Sequence, residues 1–324
     1  MSTLGLPGPA RVVLRQHRGT LWITGVLALV GIVALAAVCL WPRAAVSAYA
    51  ASGCSIEHTV SGCGDVVRRF LDSEMRLTHA IRYAGLAMLL LPVFIGMFVA
   101  GPMIGRELES GTYKLSWTQS VPPARWLATK LAVPAALSLA GVGVLSAVCR
   151  WAQARVDRTY YPVNRYERLA YGSIGTVPFG YALCLLALGA LAGLLLRRTV
   201  AAMVATAAGF AVLVEALDIV RDGLWPTMTR AYGLKGTYTL PDGALNAGGG
   251  WLTGDGARLS GDTCREWVPG FRQCLADHGI NRRFVDYHPA SHFWPLQLVE
   301  TGILLALAAL AVLLAFRVLR RRHG

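Results

Sequence analysis

Six stretches of this sequence run about twenty residues or more with almost no charge, and no other feature restricts the fold as strongly. They cover about residues 21–41, 83–104, 126–149, 173–196, 199–220 and 295–316. At about 1.5 Å per residue, each is long enough to cross the roughly 30 Å hydrocarbon core of a bilayer. Only 15% of the 324 residues are charged and 55% are apolar, whereas soluble domains carry about 25% charge. That balance excludes a soluble enzyme, a disordered chain, a collagen-like repeat and a small disulfide scaffold. The expected fold is all-α: a polytopic membrane protein with six transmembrane helices in a single transmembrane domain over 1–324. A large extracytoplasmic loop, 222–294, interrupts it.

The net charge of +13 would point a soluble protein toward nucleic acid. Here the bilayer is the expected partner and nucleic acid is not, because cytoplasmic loops collect Lys and Arg. One side of the membrane can take both termini, the 105–125 loop, the Arg197-Arg198 turn and Lys130. It then holds 13 basic and 2 acidic residues, against 18 basic and 16 acidic in the rest of the chain. The long 222–294 loop is discounted, since long loops cross largely regardless of charge. Both termini are therefore expected in the cytoplasm, in a multi-pass protein of the plasma membrane.

The cysteines test this independently. Cys39, Cys149 and Cys184 lie in spans and read as small hydrophobes. Cys54, Cys63, Cys264 and Cys274 fall in the segments assigned outside, where disulfides persist. Four cysteines allow three pairings; the local pairs Cys54–Cys63 and Cys264–Cys274 are expected, with free thiols as the alternative. No metal site is expected, because no cysteine pair has zinc-site spacing with a histidine. His278, His288 and His292 read as surface histidines. Arg11, Arg15 and Arg18 share one helical face ahead of the first span, which reads as an interfacial helix or a solvated tail. The following apolar block exceeds the roughly 7–15 residues of a signal-peptide core, so it is read as a retained span.

The 105–125 loop is the most informative stretch. Leu108, Thr112 and Leu115 recur at helical spacing, Glu107 and Lys114 lie on another face, and Pro122-Pro123 stop the helix. Trp126 and Lys130 read as an interfacial anchor and a snorkelling cation. A short amphipathic helix between spans two and three, lying along the membrane, follows from these residues.

Glu107-x-Glu109-x-Gly111-Thr112, then Leu115, Ser120-Val121-Pro122-x-x-Arg125 and Lys130 resemble the signature of the membrane subunit of type-2 ABC transporters. Pro289-Ala290-Ser291-x-x-Trp294-Pro295 before the last span is similar to actinobacterial members. Leu115 comes one position early, and Ala124 stands where a Ser is usual. The resemblance implies a permease subunit of an exporter, dimeric, worked by ATP and magnesium bound in a separate ABC ATP-binding subunit. It further implies that the loop is a coupling helix seated in a groove of that subunit. Glu107 and Glu109 would pair with the partner's basic residues, Gly111 would turn the backbone, and Trp117 would pack in the cleft. Thr112 and Arg125 complete the motif. The chain needs such a partner, because none of its three lysines follows a glycine and so no phosphate-binding P-loop exists. No cofactor is expected in this chain.

The remaining features are read more plainly. Glu215 and Asp218 lie i, i+3 in span five, and carboxylates in spans usually face a cavity or a partner. With Glu300 in span six they could line a pathway; a solvated exit region paired with Arg221 is the plainer alternative. Gly101-x3-Gly105 and Gly189-x3-Gly193 permit close helix packing, within the chain rather than across a dimer. Pro92, Pro102 and Pro134 can kink their spans. The 222–294 loop, with Gly248-Gly249-Gly250 and Trp225, Trp251, Trp267 and Trp294, is expected to form a small cap. Two other classes, a membrane-embedded enzyme acting on lipid and a non-transporting accessory or immunity protein, rank lower. No nucleophile–base pair or HExxH or GxSxG motif appears, and the coupling-like loop argues against a purely accessory role.

Overall fold

The computed structural model describes residues 18–40, 43–57, 62–113, 122–157, 159–236 and 238–323. Arg11, Arg15, the side chain of Arg18 and Trp117 lie outside what is described. The helices α1 (Arg18–Leu40) and α2 (Arg43–Ser52) come first, followed by a segment closed by a Cys54–Cys63 disulfide. Next, α3 (Gly64–Phe94), a π-helical turn (Ile95–Ala100) and α4 (Gly101–Ser110) form one 47-residue run. Then come α5 (Pro123–Val156), the single turn α6 (Arg168–Tyr171), α7 (Val177–Leu196) and α8 (Thr199–Val220). A cap holds β1 (Met228–Gly233), β2 (Leu245–Thr253), β3 (Arg258–Ser260), α9 (Phe271–Asp277) and β4 (Ile280–His288). The helix α10 (Phe293–His323) ends the chain.

Six helical stretches among the described residues are long and apolar enough to cross a membrane: Ala28–Ser52, Gly64–Ser110, Pro123–Val156, Val177–Leu196, Thr199–Gly223 and Ala290–Arg321. The protein is a multi-pass helical membrane protein. The helix α1, Arg18–Leu40, covers almost all of the first expected span, residues 21–41. The second is about twice as long as its apolar block, because its first half carries Arg68, Arg69, Asp72, Glu74, Arg76 and Arg82. That half is a polar helix rising beyond the membrane. It is held there by Glu74, which is buried and accepts a bond from the Tyr160 N–H at 3.0 Å.

Helix α7 sits at the centre. Of its apolar window 61% is buried in the protein, against 39% or less for the other five. Small residues let its neighbours approach. A Cβ on Gly189 would lie 2.5 Å from the Gly96 carbonyl oxygen, and one on Gly193 would lie 3.0 Å from that of Gly101. The two small-residue patterns therefore face each other inside one chain. Gly96 belongs to the π-turn between Pro92 and Pro102, where the Gly101 N–H reaches back five residues to the Gly96 oxygen. The π-turn thus turns a widened loop of backbone toward α7 at its narrowest crossing. Gly189→Val is expected to overpack this crossing by about 1–3 kcal/mol or more and to lower the melting temperature of the purified chain in detergent. Gly209→Val, on α8 with nothing within 4 Å, should leave it nearly unchanged.

The cap is a four-stranded antiparallel sheet in the order β1-β4-β2-β3, a β element that the all-α reading of the spans did not contain. Its core gathers Trp251, Leu275 and Ile280 beside the Cys264–Cys274 disulfide. The triple glycine lies inside β2. Gly248 adopts φ +134° next to a register shift, and Gly249 approaches the Phe284 oxygen so closely that a Cβ would lie 2.8 Å from it. Asn164 Nδ2 donates to the Ala244 oxygen at 2.7 Å, and the Tyr166 hydroxyl to that of Pro289 at 2.7 Å, fastening the cap to the bundle. His288 is not a surface residue: it is fully buried at this junction, with Nε2 3.0 Å from the Asp222 oxygen and Nδ1 3.2 Å from Nδ1 of His292.

Candidate functional site

One end of the bundle brings together the end of α4 and the starts of α5 and α8. Helix α4 stops at Gly111, which takes the left-handed conformation (φ 73°) that glycine adopts without strain. One turn earlier, Glu107 Oε1 accepts a bond from Lys130 Nζ at 2.6 Å, and its Oε2 accepts one from Trp126 Nε1 at 3.1 Å. Lys130 is 6% exposed, donates also to the Met103 oxygen at 3.4 Å, and lies 5.2 Å from the centre of the Trp126 ring. A buried ammonium needs such a counter-charge, since taking an unpaired charge out of water is costly. Glu109, two residues on and so on the other side of α4, takes the N–H of Thr199 at 3.1 Å and its hydroxyl at 2.9 Å. The first N–H groups of a helix have no partner within it, and Arg198 supplies no side-chain cap to α8. Glu109 supplies that cap from another helix, with its negative charge against the positive end of the helix dipole.

Both acids expected to face a partner are therefore engaged within the chain. The ends of α4 and the starts of α5 and α8 form one clamped unit. Of the other motif residues, Thr112 is exposed and bonds Ser110 at 2.9 Å between hydroxyls, and Arg125 is exposed at the start of α5.

The opposite, cap-facing end holds a chain of charges that runs from the surface inward. Arg168 Nη2 lies 2.6 Å from Glu215 Oε1, and its Nη1 3.9 Å from Asp218 Oδ2. Arg221 Nη1 lies 2.6 Å from Asp218 Oδ1, and its Nε 3.2 Å from Glu300 Oε2. Side-chain exposure falls along this chain, from 63% at Glu215 to 33% at Asp218, 9% at Arg221 and zero at Glu300. The three acids singled out by sequence do meet. Glu215, however, pairs with Arg168 and not with Arg221, because Arg168 on α6 folds down beside it. The Arg221 guanidinium also stacks over Tyr171 at 4.3 Å, and the Tyr181 hydroxyl donates to Glu300 Oε1 at 3.5 Å. Burial first, and the Glu300 carboxylate second, push the Tyr171 phenol well above its usual range, so it stays neutral.

Sequence reasoning missed Arg168, Tyr171, Tyr181 and Gln297. Gln297 is fully buried; its Oε1 accepts the N–H groups of Thr176 and Val177 at 2.9 Å each, and its Nε2 donates to the Tyr171 oxygen at 3.0 Å. It caps α7 at the cap end as Glu109 caps α8 at the other. Nothing local marks either role. The one group of potential metal ligands found among the described residues is Cys264, Cys274 and His278. Its sulfurs are joined to each other, so they offer no thiolate to a metal.

A family model described as "ABC-2 membrane transporter related" matches residues 27–221, well over half of the chain. No curated protein and no solved structure matches.

Proposed function

Since the chain belongs to the ABC-2 membrane transporter related family, and is thus a transporter membrane subunit of the kind that pairs with an ATP-binding subunit, we propose that it is the permease of an ATP-driven exporter. The family match carries this reading, because it includes the loop after α4 and five of the six candidate spans. In the proposed orientation both termini and the 111–125 segment face the cytoplasm, and the cap stands outside. ATP and magnesium bind in the partner, and the 111–125 segment seats in a groove of that partner. Thr112, Trp117 and Arg125 face it, while Glu107 and Glu109 anchor the segment from behind. Movement of the segment then passes directly into spans two, three and five through the Lys130–Glu107 pair and the Glu109–Thr199 cap. ATP-bound and ATP-free partners favour different arrangements of the clamped unit, which shifts the bundle between inward- and outward-open populations. Two such subunits flank one pathway, with Glu215, Asp218 and Glu300 at its outer end.

Co-expression of the chain with an ATP-binding subunit encoded beside it tests this reading. Co-purification is expected, with ATP hydrolysis in vesicles that depends on this chain. A chain that neither retains the ATPase nor alters its turnover would defeat the proposal. So would externally added thiol label reaching cysteines placed at 111–125 in intact cells.

A further inference from the structure

A groove of about 860 Å³ opens between α1–α2 and the polar half of α3, away from both sites above. Ligand pockets typically enclose about 300–1,000 Å³. One wall is almost pure alanine: Ala37 on α1, then Ala44, Ala45 and Ala48 on α2. The other wall is a single stripe of α3, in which Arg69, Asp72, Arg76, His79 and Tyr83 recur every three or four residues. The stripe rises about 21 Å from Tyr83 to Arg69. Tyr83 begins the second apolar block, so the groove climbs from the edge of that block along the polar half of α3.

The two walls make incompatible demands on water. The alanines of α1 and α2 offer apolar surface that water covers poorly. Two arginines, Arg69 and Arg76, face one carboxylate in the groove, Asp72; among the described residues Asp72 forms no ion pair with either, and Arg69 Nε donates to the Asp65 backbone oxygen at 3.2 Å, so the wall keeps a net positive charge. A soluble anion would satisfy the arginines and leave the alanines wet. A neutral lipid would do the reverse. An occupant with an anionic head and an acyl tail satisfies both. We infer that this groove binds an anionic phospholipid of the cap-side leaflet, its phosphate between Arg76 and Arg69 and its chain descending past Ala80 and Val38 beside Tyr83. The site goes beyond the transport reading: it needs no ATPase, and it raises one lipid's head group above the plane of its neighbours.

Photoactivatable phosphatidylglycerol and phosphatidylcholine, each presented to the purified full chain in phosphatidylcholine nanodiscs, test the assignment. The phosphatidylglycerol probe is expected to label peptides within 37–48 and 66–83. Unlabelled phosphatidylglycerol should compete, and inorganic phosphate should not. Arg69→Gln with Arg76→Gln, both exposed positions, should reduce this labelling about thirtyfold, the order expected when two cations near a lipid surface are lost. Ala45→Trp, which fills the groove and leaves the charges, should abolish it. Equal labelling by the two lipids, competition by inorganic phosphate, or labelling unchanged in either variant would overturn the proposal. None of these outcomes depends on the ATPase partner, so the transporter reading stands or falls separately.

Discussion

Arg221→Met is expected to destabilise the chain by about 3–5 kcal/mol, the range seen when one member of a buried ion pair is removed. Glu300 has no other cation: it is fully buried on α10, and Arg221 is its one salt-bridge partner among the described residues. Without the guanidinium, the carboxylate must stay charged in an apolar surround or take up a proton, and either choice costs stability. Glu300→Gln should cost less, because Arg221 keeps Asp218 at 2.6 Å. The double variant Arg221→Met with Glu300→Gln should recover most of the loss, leaving a coupling term on the order of 0.5–3 kcal/mol. Thermal melts of the four proteins in one detergent measure all of this. Additive losses would mean that the two groups do not act on each other, and the inward chain of charges would then be broken at its last link.

The spans were legible because a twenty-residue apolar run is a local property of the sequence, and a bilayer imposes its thickness on every helix that crosses it. Everything that fixes how the spans meet is non-local. Glu109 caps Thr199 across 90 positions and Gln297 reaches Thr176 across 121, and neither residue has a sequence neighbour that announces the role. Arg168 lies in a single helical turn, α6, inside a segment whose composition reads as an ordinary connector. Its ion pair with Glu215 exists only because α6, packed against α3, carries Arg168 beside the end of α8. The prolines around the π-turn were visible as kinks, yet the form of the distortion depends on Gly189 standing opposite Gly96. In the cap, the three consecutive glycines pointed to a folded element without marking it as a strand. Gly249 and Gly250 stand where neighbouring backbones come too close for a Cβ, and Gly248 takes φ +134°, which are facts about the sheet and not about β2 alone. Recognition of the loop motif gave no sign of the contacts that Glu107 and Glu109 make within the chain, since a motif records which residue types recur and not which partners they hold.

A role of Glu107 within the chain can be separated from a role toward a partner by one set of variants. Glu107→Gln keeps the acceptor for Trp126 and removes the charge facing Lys130, so the loss should be about 1.5–3 kcal/mol, the worth of a charge-assisted bond. In the same variant the clamp between α4 and α5 loosens, and association with the ATPase should fall. Adding Lys130→Met removes the stranded ammonium and fills its site with an unbranched apolar chain of similar length. If Glu107 acts by holding the clamp, the double variant should regain near-native melting and most of the ATPase association, although it lacks the carboxylate. If Glu107 instead binds a basic residue of the partner, the double variant should melt normally and still fail to associate. The buried 2.6 Å contact and the 6% exposure of Lys130 favour the first result. Glu109→Gln serves as the companion: its amide oxygen still accepts the Thr199 N–H, so only the charge–dipole part of the cap, about 0.3–1 kcal/mol, should be lost. A collapse of ATPase association at Glu109→Gln with unchanged melting would return that residue, unlike Glu107, to the partner-facing surface.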